Sequence, residues 1–268
     1  MEREKNFSEE KTSIEMPTTS PDTACRFYLR EIERLGRTED VKQWIETALK
    51  TEPEIYGSTE EFLEANPNYE EKISENLESE EKAAVKSYSG YNFAWINSVA
   101  RGFWDYEKMG KKTPELEEQI KDTTRKIVSA IDKSPKPEKS FVTFRGTNLD
   151  AFRSYGISQI SDLEKMKGQL MLEQGFTSTA LAREQSFVER KESSFWIKSS
   201  DIEIHYHIPS GSDDVIALTS DELSYSPQQT EVLIKYGSLS YVTDVSLDEK
   251  GHAVMDMVLV PSSVYDHA

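Results

Sequence analysis

Positive charge, cysteine and long apolar runs are what this chain has little of. Its 32 Lys and Arg stand against 49 Asp and Glu, a formal charge of -17. Phosphate backbones and anionic membrane surfaces are repelled overall by such a balance, and no nucleic-acid partner is expected. The single cysteine, Cys25, rules out an intramolecular disulfide framework and a Cys-rich zinc site, and suits a reducing compartment. No apolar run approaches the length of a membrane span, so no membrane insertion is expected. The opening stretch, MEREKNFSEEKTSIEMPTTSPDT, has neither an apolar h-region nor a small-residue cleavage site, which excludes a conventional signal peptide. It is poor in large apolar residues and cannot repay its ordering entropy. A linker, an expression remnant and a leader read by a specialised export machine all fit it.

What is present is a globular composition, with 36% hydrophobic and 10% aromatic residues in 268. From Ala24 to about Lys133 the apolar residues recur at helical spacing, and from Phe141 onward they alternate or come in short runs. Phe27, Leu29, Ile32 and Leu35 form one stripe, Val41, Trp44, Ile45 and Leu49 the next, and Leu116, Ile120, Ile127 and Ile131 a later one. A helix from about Tyr91 is expected to turn Tyr91, Ala94, Trp95, Ser98, Val99, Gly102, Phe103 and Tyr106 to one side. The linker SPKPEK then disfavours both helix and central strand. Strands are expected at FVTFRG, GFTSTAL, FWIK, DIEIHYHIP, DVIALT, EVLIKY, SYVTDVSL and HAVMDMVLV. In DIEIHYHIP, Ile202, Ile204, Tyr206 and Ile208 face one way and Glu203, His205 and His207 the other, which suggests antiparallel sheets with one face partly wet. Helices packed on a β core in one α+β domain follow.

Three segments carry polar residues that a plain core does not need. Arg145 ends the apolar run FVTFRG and is followed by Gly146. Alone it is an edge-strand arginine with a carboxylate partner; beside a glycine that admits close approach, it could clamp a phosphate bidentately. In GFTSTAL, Ser178 points away from Thr177 and Thr179, either as an ordinary strand residue or as a hydroxyl that orients a carboxylate. In SPQQTEVLI, Glu231 opens a strand and Gln229 stands two positions earlier, on the same side if extended geometry continues. Such a glutamate is commonly a solvated edge charge, but it can also stabilise positive charge developing on a sugar. His205-x-His207 lacks a third zinc ligand at suitable spacing, and Ser178 lacks the G-x-S-x-G elbow of a hydrolase nucleophile, so no metal and no serine hydrolase are expected.

In this order, Arg on a strand, Ser-Thr on a strand and Gln-x-Glu entering a strand, the segments resemble the ADP-ribosyltransferase toxin family. Within it they are most similar to the branch of the clostridial Rho-modifying exoenzymes and the binary actin-modifying toxins. T-S-T stands where S-T-S is usual, with Ser178-Thr179 the aligned pair. YSGYNFAWINSVARG resembles the family's Y-x-G helix followed by I-N and an arginine, which sets Asn97 and Arg101 on one helix face. AREQSFVERK resembles the family's phosphate-nicotinamide loop. The resemblance spans roughly Lys82 to Val260. It implies an α+β ADP-ribosyltransferase fold of two packed antiparallel β-sheets with an N-terminal helical region and NAD in the cleft. Residues 1–22 then read as a disordered leader, 23–78 as a helical N-terminal extension and 79–268 as the catalytic domain.

The resemblance also implies a chemistry, with NAD as co-substrate and no metal. Arg145, with Arg101 and Arg190, would bind the pyrophosphate, and Asn97 would contact the adenosine and phosphates. Gly146 would offer backbone hydrogen bonds to the nicotinamide amide, on which Phe187 would stack. Glu231, oriented by Ser178, would stabilise the cationic sugar as nicotinamide leaves. In the family, Glu two positions before that residue accompanies arginine modification, and Gln accompanies other acceptors. Gln229 therefore implies a non-arginine acceptor such as Asn, Gln, Thr/Ser or Cys, since an amide lacks the charge that would hold a guanidinium. Tyr225 resembles the exposed aromatic by which relatives grip a host target protein, although a loop tyrosine packing inward fits equally. The expected protein is a mono-ADP-ribosyltransferase effector, delivered to host cytosol by a dedicated secretion system without a cleavable signal peptide. An NAD glycohydrolase using water, and a catalytically silent interaction module of the same fold, stay open.

Overall fold

The computed structural model describes residues 14–102, 110–186, 201–249 and 251–266. Phe187, Arg190, the expected strand FWIK, and Phe103 and Tyr106 of the expected helix face lie outside the described residues. Helices come first. Asp22 caps α1 (Thr23–Arg34), its carboxylate accepting from the Cys25 N–H, and α2 (Thr38–Leu49) follows. Cys25, Leu29 and Ile32 are buried on α1, and Val41, Ile45 and Ala48 on α2. Phe27, Leu35 and Leu49, which spacing placed on these stripes, are exposed. The short helices α3 (Thr59–Ala65), α4 (Tyr69–Asn76) and α5 (Ser79–Ser87) lead into a π-type turn at Tyr88–Asn92 and then α6 (Phe93–Ala100). Gly90 breaks helical geometry inside that turn. As a correction to the expected face, α6 buries Ile96 and Asn97, while Ala94, Trp95, Ser98 and Val99 are half-buried. Thr113 caps α7 (Pro114–Lys133), whose proline opens the helix and whose Ile120, Ile127 and Ile131 face inward as expected.

The strands are β1 (Glu54–Ile55), β2 (Phe141–Thr147), β3 (Leu170–Leu172), β4 (Thr177–Ala180), β5 (Ile202–Ile208), β6 (Val215–Ala217), β7 (Glu231–Ile234), β8 (Leu239–Leu247) and β9 (Ala253–Val260), and α8 (Ser262–Tyr265) follows. They form a sheet in the order β3-β8-β9-β5-β2-β4-β7-β6, with β1 added beside β2. The α+β class is as expected, and the sheet is mixed: β5 pairs parallel with β9 and β1 with β2, while the other pairs are antiparallel. β2 pairs with β5 along its whole length but with β4 only at Phe144↔Ala180. The sheet therefore divides into two wings, β3-β8-β9-β5-β2 and β4-β7-β6, that part just after Phe144. Among the described residues no helix is long and apolar enough to cross a membrane.

The outer wing is held by one buried carboxylate. Asp214, ahead of β6, accepts from Ser238 Oγ (2.6 Å), Ser262 N (2.7 Å) and Ser262 Oγ (2.8 Å) and pairs with Lys235 Nζ (2.5 Å). It thus ties the ends of β6 and β7 to α8. Asp214→Ala is expected to destabilise the fold by about 3–5 kcal/mol in urea denaturation, because it breaks a buried ion pair, leaves Lys235 with only the half-exposed carboxylate of Asp132, and takes this acceptor from Ser238 and Ser262. Glu118→Ala, which breaks an exposed pair with Arg125, should change stability by less than about 1 kcal/mol.

Candidate active site

The parting of β2 from β4 brings three of the sequence-selected residues together. Arg145 comes one residue after the last β2–β4 pair, and its Nη1 donates to the Ser178 carbonyl on β4 at 2.6 Å. Ser178 is half-buried, and its threonine neighbours turn the other way: Thr179 Oγ1 donates to the Val232 carbonyl and Thr177 Oγ1 to Glu173. Glu231 opens β7 opposite Ala180, half-buried, on the same wing as Ser178. Burial pushes its carboxyl above the usual range, while the Ser178 hydroxyl and the charge of Arg145 pull it back. Gly146 is placed beside Arg145, and its N–H is given to the Ser186 carbonyl at 2.5 Å.

Helix α6 supplies the other side. Asn97 Nδ2 donates to the Tyr88 hydroxyl (3.0 Å) and the Phe176 carbonyl (3.1 Å), and Tyr88 donates to the same carbonyl (3.1 Å). Ser178 Oγ lies 3.4 Å from the Tyr88 hydroxyl, so helix and strand meet at that phenol. Asn97 Oδ1 is buried without a partner, an acceptor left for a ligand donor. Arg101 joins Arg145: burial and then the charge of Arg145 both lower its proton affinity. Gly175 makes their approach possible, since a Cβ there would stand 2.8 Å from Arg101 Nε and 2.9 Å from Asn97 Oδ1.

Gln229 departs from its expected geometry. It ends a 3-10 turn, Pro227–Gln229, and Thr230 after it is left-handed (φ 52°). The extended path that would set Gln229 and Glu231 on one side is absent, because the chain reverses to let the Thr230 carbonyl accept from Leu181 N (2.9 Å). Tyr225 is 66% exposed, its ring resting on Gly90, where a Cβ would come within 2.9 Å. Lys86 Nζ lies 5.2 Å from the ring centroid. Among the described residues no three His, Cys, Asp or Glu side chains are arranged to hold a metal. A groove of about 930 Å³ between residues 14–21 and Tyr241 has none of these site residues in its lining.

Sequence reasoning missed a second set. Glu203, placed on the partly wet face, is 2% exposed. It takes the Arg183 fork at 2.6 and 2.8 Å and His205 Nε2 at 3.2 Å, and His205 Nδ1 meets Asp256 at 2.9 Å. Glu173 accepts from Tyr206 (3.0 Å), Thr177 (2.8 Å) and Ser240 (3.3 Å) and acts electrostatically on Arg101. A charge alternating into the wet face of β5 was the one signal available for Glu203.

Two guanidiniums, a strand-held hydroxyl and a half-buried carboxyl at one seam define a site for an anionic substrate whose reaction centre becomes electron-poor. The family model for the ADP-ribosyltransferase exoenzyme matches residues 66–260. The chain belongs to the ADP-ribosyltransferase exoenzyme family, toxins that act on host proteins, and is an NAD-dependent mono-ADP-ribosyltransferase with NAD as co-substrate. Similar solved structures include C3stau2 from S. aureus with NAD, at 22% identity and TM-score 0.60, covering 79% of this chain and 100% of that one. An ADP-ribosyltransferase from Clostridium botulinum matches at 19% identity and TM-score 0.58, covering 78% of this chain and 98% of its own. Plx2a, a toxin from Paenibacillus larvae, matches at 20% and 0.55, covering 75% and 96%. These likenesses concern the fold. A comparison with curated proteins finds no match.

The buried charge network makes stability depend on pH in a definite sense. Burial pushes His205 down, but Asp256 and Glu203 outweigh it and raise the imidazole from 6.5 to about 9. Its contribution is full below about pH 6.5 and lost as pH rises through about 9. Burial pushes Glu203 up, but His205 and Arg183 hold it at about 2, so its contribution is present above 4.5 and lost as pH falls through about 2. The melting temperature should therefore fall more steeply between neutral pH and pH 10 in the native chain than in His205→Gln. Parallel curves would show that the imidazole is not coupled to folding.

Proposed function

We propose that this chain cleaves NAD at its nicotinamide bond and transfers ADP-ribose to a non-arginine side chain of a host protein, such as Asn, Gln, Thr/Ser or Cys. The observation that carries the reading is the convergence of Arg145, Ser178 and Glu231 at the seam between the wings. Arg145 and Arg101 bind the pyrophosphate, Arg190 adds to them, and Phe187 stacks on the nicotinamide. Asn97 offers its unpaired Oδ1 to the adenosine side. Gly146 meets the nicotinamide amide through its backbone. Glu231, held by the Ser178 hydroxyl, accepts a hydrogen bond from the nicotinamide ribose and stabilises positive charge on that sugar. NAD supplies an ADP-ribosyl group already joined to a cationic leaving group that departs neutral, so activation by a metal is not required.

Gln229 sets the acceptor. Its amide can donate to and accept from an uncharged side chain, and it has no charge with which to hold a guanidinium. The left-handed Thr230 aims Gln229 independently of the β7 alternation, which suits a residue that addresses a partner protein. Tyr225, exposed at the tip of the loop between β6 and β7, grips that partner. In this reading residues 79–268 are the catalytic domain, 23–78 a helical extension packed on it and 1–22 a leader for a dedicated secretion system that delivers the enzyme to host cytosol. The packing is direct: Trp44 Nε1 in α2 donates to the Leu259 carbonyl in β9 at 2.9 Å.

Incubation with tagged NAD in a eukaryotic lysate tests the proposal. The native chain should label a discrete protein band, and Glu231→Ala should lower that labelling by about 10²–10³-fold. Gln229→Glu should keep NAD cleavage while the labelled residue shifts toward arginine. Glu231-dependent loss of NAD without label would make the chain a glycohydrolase, and neither activity in a folded sample would make it a silent module of this fold.

A further inference from the structure

Where β2 leaves β4, the Gly146 N–H loses its ladder and is taken up by the Ser186 carbonyl at 2.5 Å. Gly146 is half-buried and Ser186 buried, so the bond lies largely out of water, where an N–H left unpaired is costly. The carbonyl is delivered by a tight turn, with Gln185 N bonded to Ala182 O and Ser186 N to Arg183 O, each at 3.0 Å. The turn is pinned from outside itself. Arg183 closes a bidentate fork on Glu203 (2.6 and 2.8 Å), and Glu203 is the residue directly across from Gly146 in the β2–β5 register. Glu203 is in turn fixed by His205, and His205 by Asp256. One ion pair therefore spans the backbone position at which the turn's last carbonyl meets Gly146.

We propose that residues 183–186 form a clip that presents the Ser186 carbonyl to Gly146 in place of the nicotinamide carboxamide, and that the Arg183–Glu203 pair sets how strongly the clip competes with substrate. This rests on Gly146 receiving the nicotinamide amide. Both acceptors are amide carbonyls and both need the same N–H, so only one is bonded at a time. The apparent affinity for the nicotinamide half is then reduced by the fraction of molecules in which the clip is closed. The ADP-ribose half, held by Arg145 and Arg101, is indifferent to it. Arg183 and Glu203 are positioning residues in this scheme, since neither touches substrate.

Calorimetric titration of the full chain with nicotinamide and with ADP-ribose, the two unreactive halves, separates the cases. Arg183→Ala, which unpins the turn and so weakens the competing Gly146–Ser186 bond, should bind nicotinamide about fivefold tighter, with ADP-ribose affinity unchanged. Glu203→Gln, which keeps the shape and weakens the fork, should move nicotinamide in the same direction by less, and it carries the test if Arg183→Ala unfolds. Unchanged or weaker nicotinamide binding, or an equal shift for both halves, overturns the clip. Arg145→Lys separates this from the underlying site: it should weaken ADP-ribose. If it does while Arg183→Ala moves neither ligand, the clip alone fails; if it does not, the site reading fails and the clip with it.

Discussion

Strands β2 and β4 meet at Phe144 and Ala180 and part immediately after, and a backbone that leaves a ladder must find other partners for its polar groups. The Ser178 carbonyl takes the Arg145 guanidinium and the Gly146 N–H takes the Ser186 carbonyl. The same parting opens the space that Arg145 reaches across and into which Ser178 and Glu231 face. A continuous sheet would have consumed these backbone groups in pairing and left no cleft. The polar residues of the site are thus placed by the point at which pairing stops, while β5 holds β2 straight along its full length on the other side.

The helical layer is fitted to that seam through residues with little or no side chain. Gly175 lets Arg101 and Asn97 come against the backbone just before β4, and Gly90 lets the Tyr225 ring lie on the turn before α6. Tyr88, from the same turn, is the shared partner of Asn97, the Phe176 carbonyl and Ser178. The N-terminal helices reach the site as well. Asp22, which caps α1, accepts from Gln174 Nε2 at 3.0 Å, next to Gly175. The cap of α1 and the entrance of β4 are therefore joined by hydrogen bonds.

Much of this was legible because strand and helix periods differ. The alternation at 202–208 and the spacing at 120, 127 and 131 yielded buried faces that the structure shares. The order of Arg145, Ser178 and Glu231 was legible through its resemblance to the ordered motifs of the family, each residue alone fitting an ordinary strand. What escaped the sequence depended on backbone departures that periodicity assumes away. A π-type turn takes up Tyr91 and Asn92, where the helix was expected to begin, and α6 buries Ile96 and Asn97; a left-handed Thr230 broke the two-residue relation of Gln229 to Glu231. β3 is three apolar residues long, too short to show alternation. Glu203 fell on the wetter face by strand alternation; the two groups that neutralise it, Arg183 and His205, come from a distant turn and from its own strand, with Asp256 holding His205 from β9.

A chain of formal charge -17 has to concentrate its positive charge to hold an anionic dinucleotide. Burial and then the nearby charge of Arg145 disfavour the charge of Arg101, yet a guanidinium stays protonated at physiological pH. Glu173, fixed by three hydroxyls, offsets only part of that repulsion. The carboxyl of Glu231 is burdened in the opposite sense, since burial disfavours its ionised form. In the proposed reaction the bound molecule is anionic at its pyrophosphate and becomes cationic at its sugar. Each end then relieves the group that burial has disfavoured, the phosphates between the two arginines and the sugar beside Glu231. The relief at Glu231 grows as charge develops, so that interaction strengthens toward the transition state and lowers the barrier, whereas the arginines act equally on substrate before and after the bond breaks.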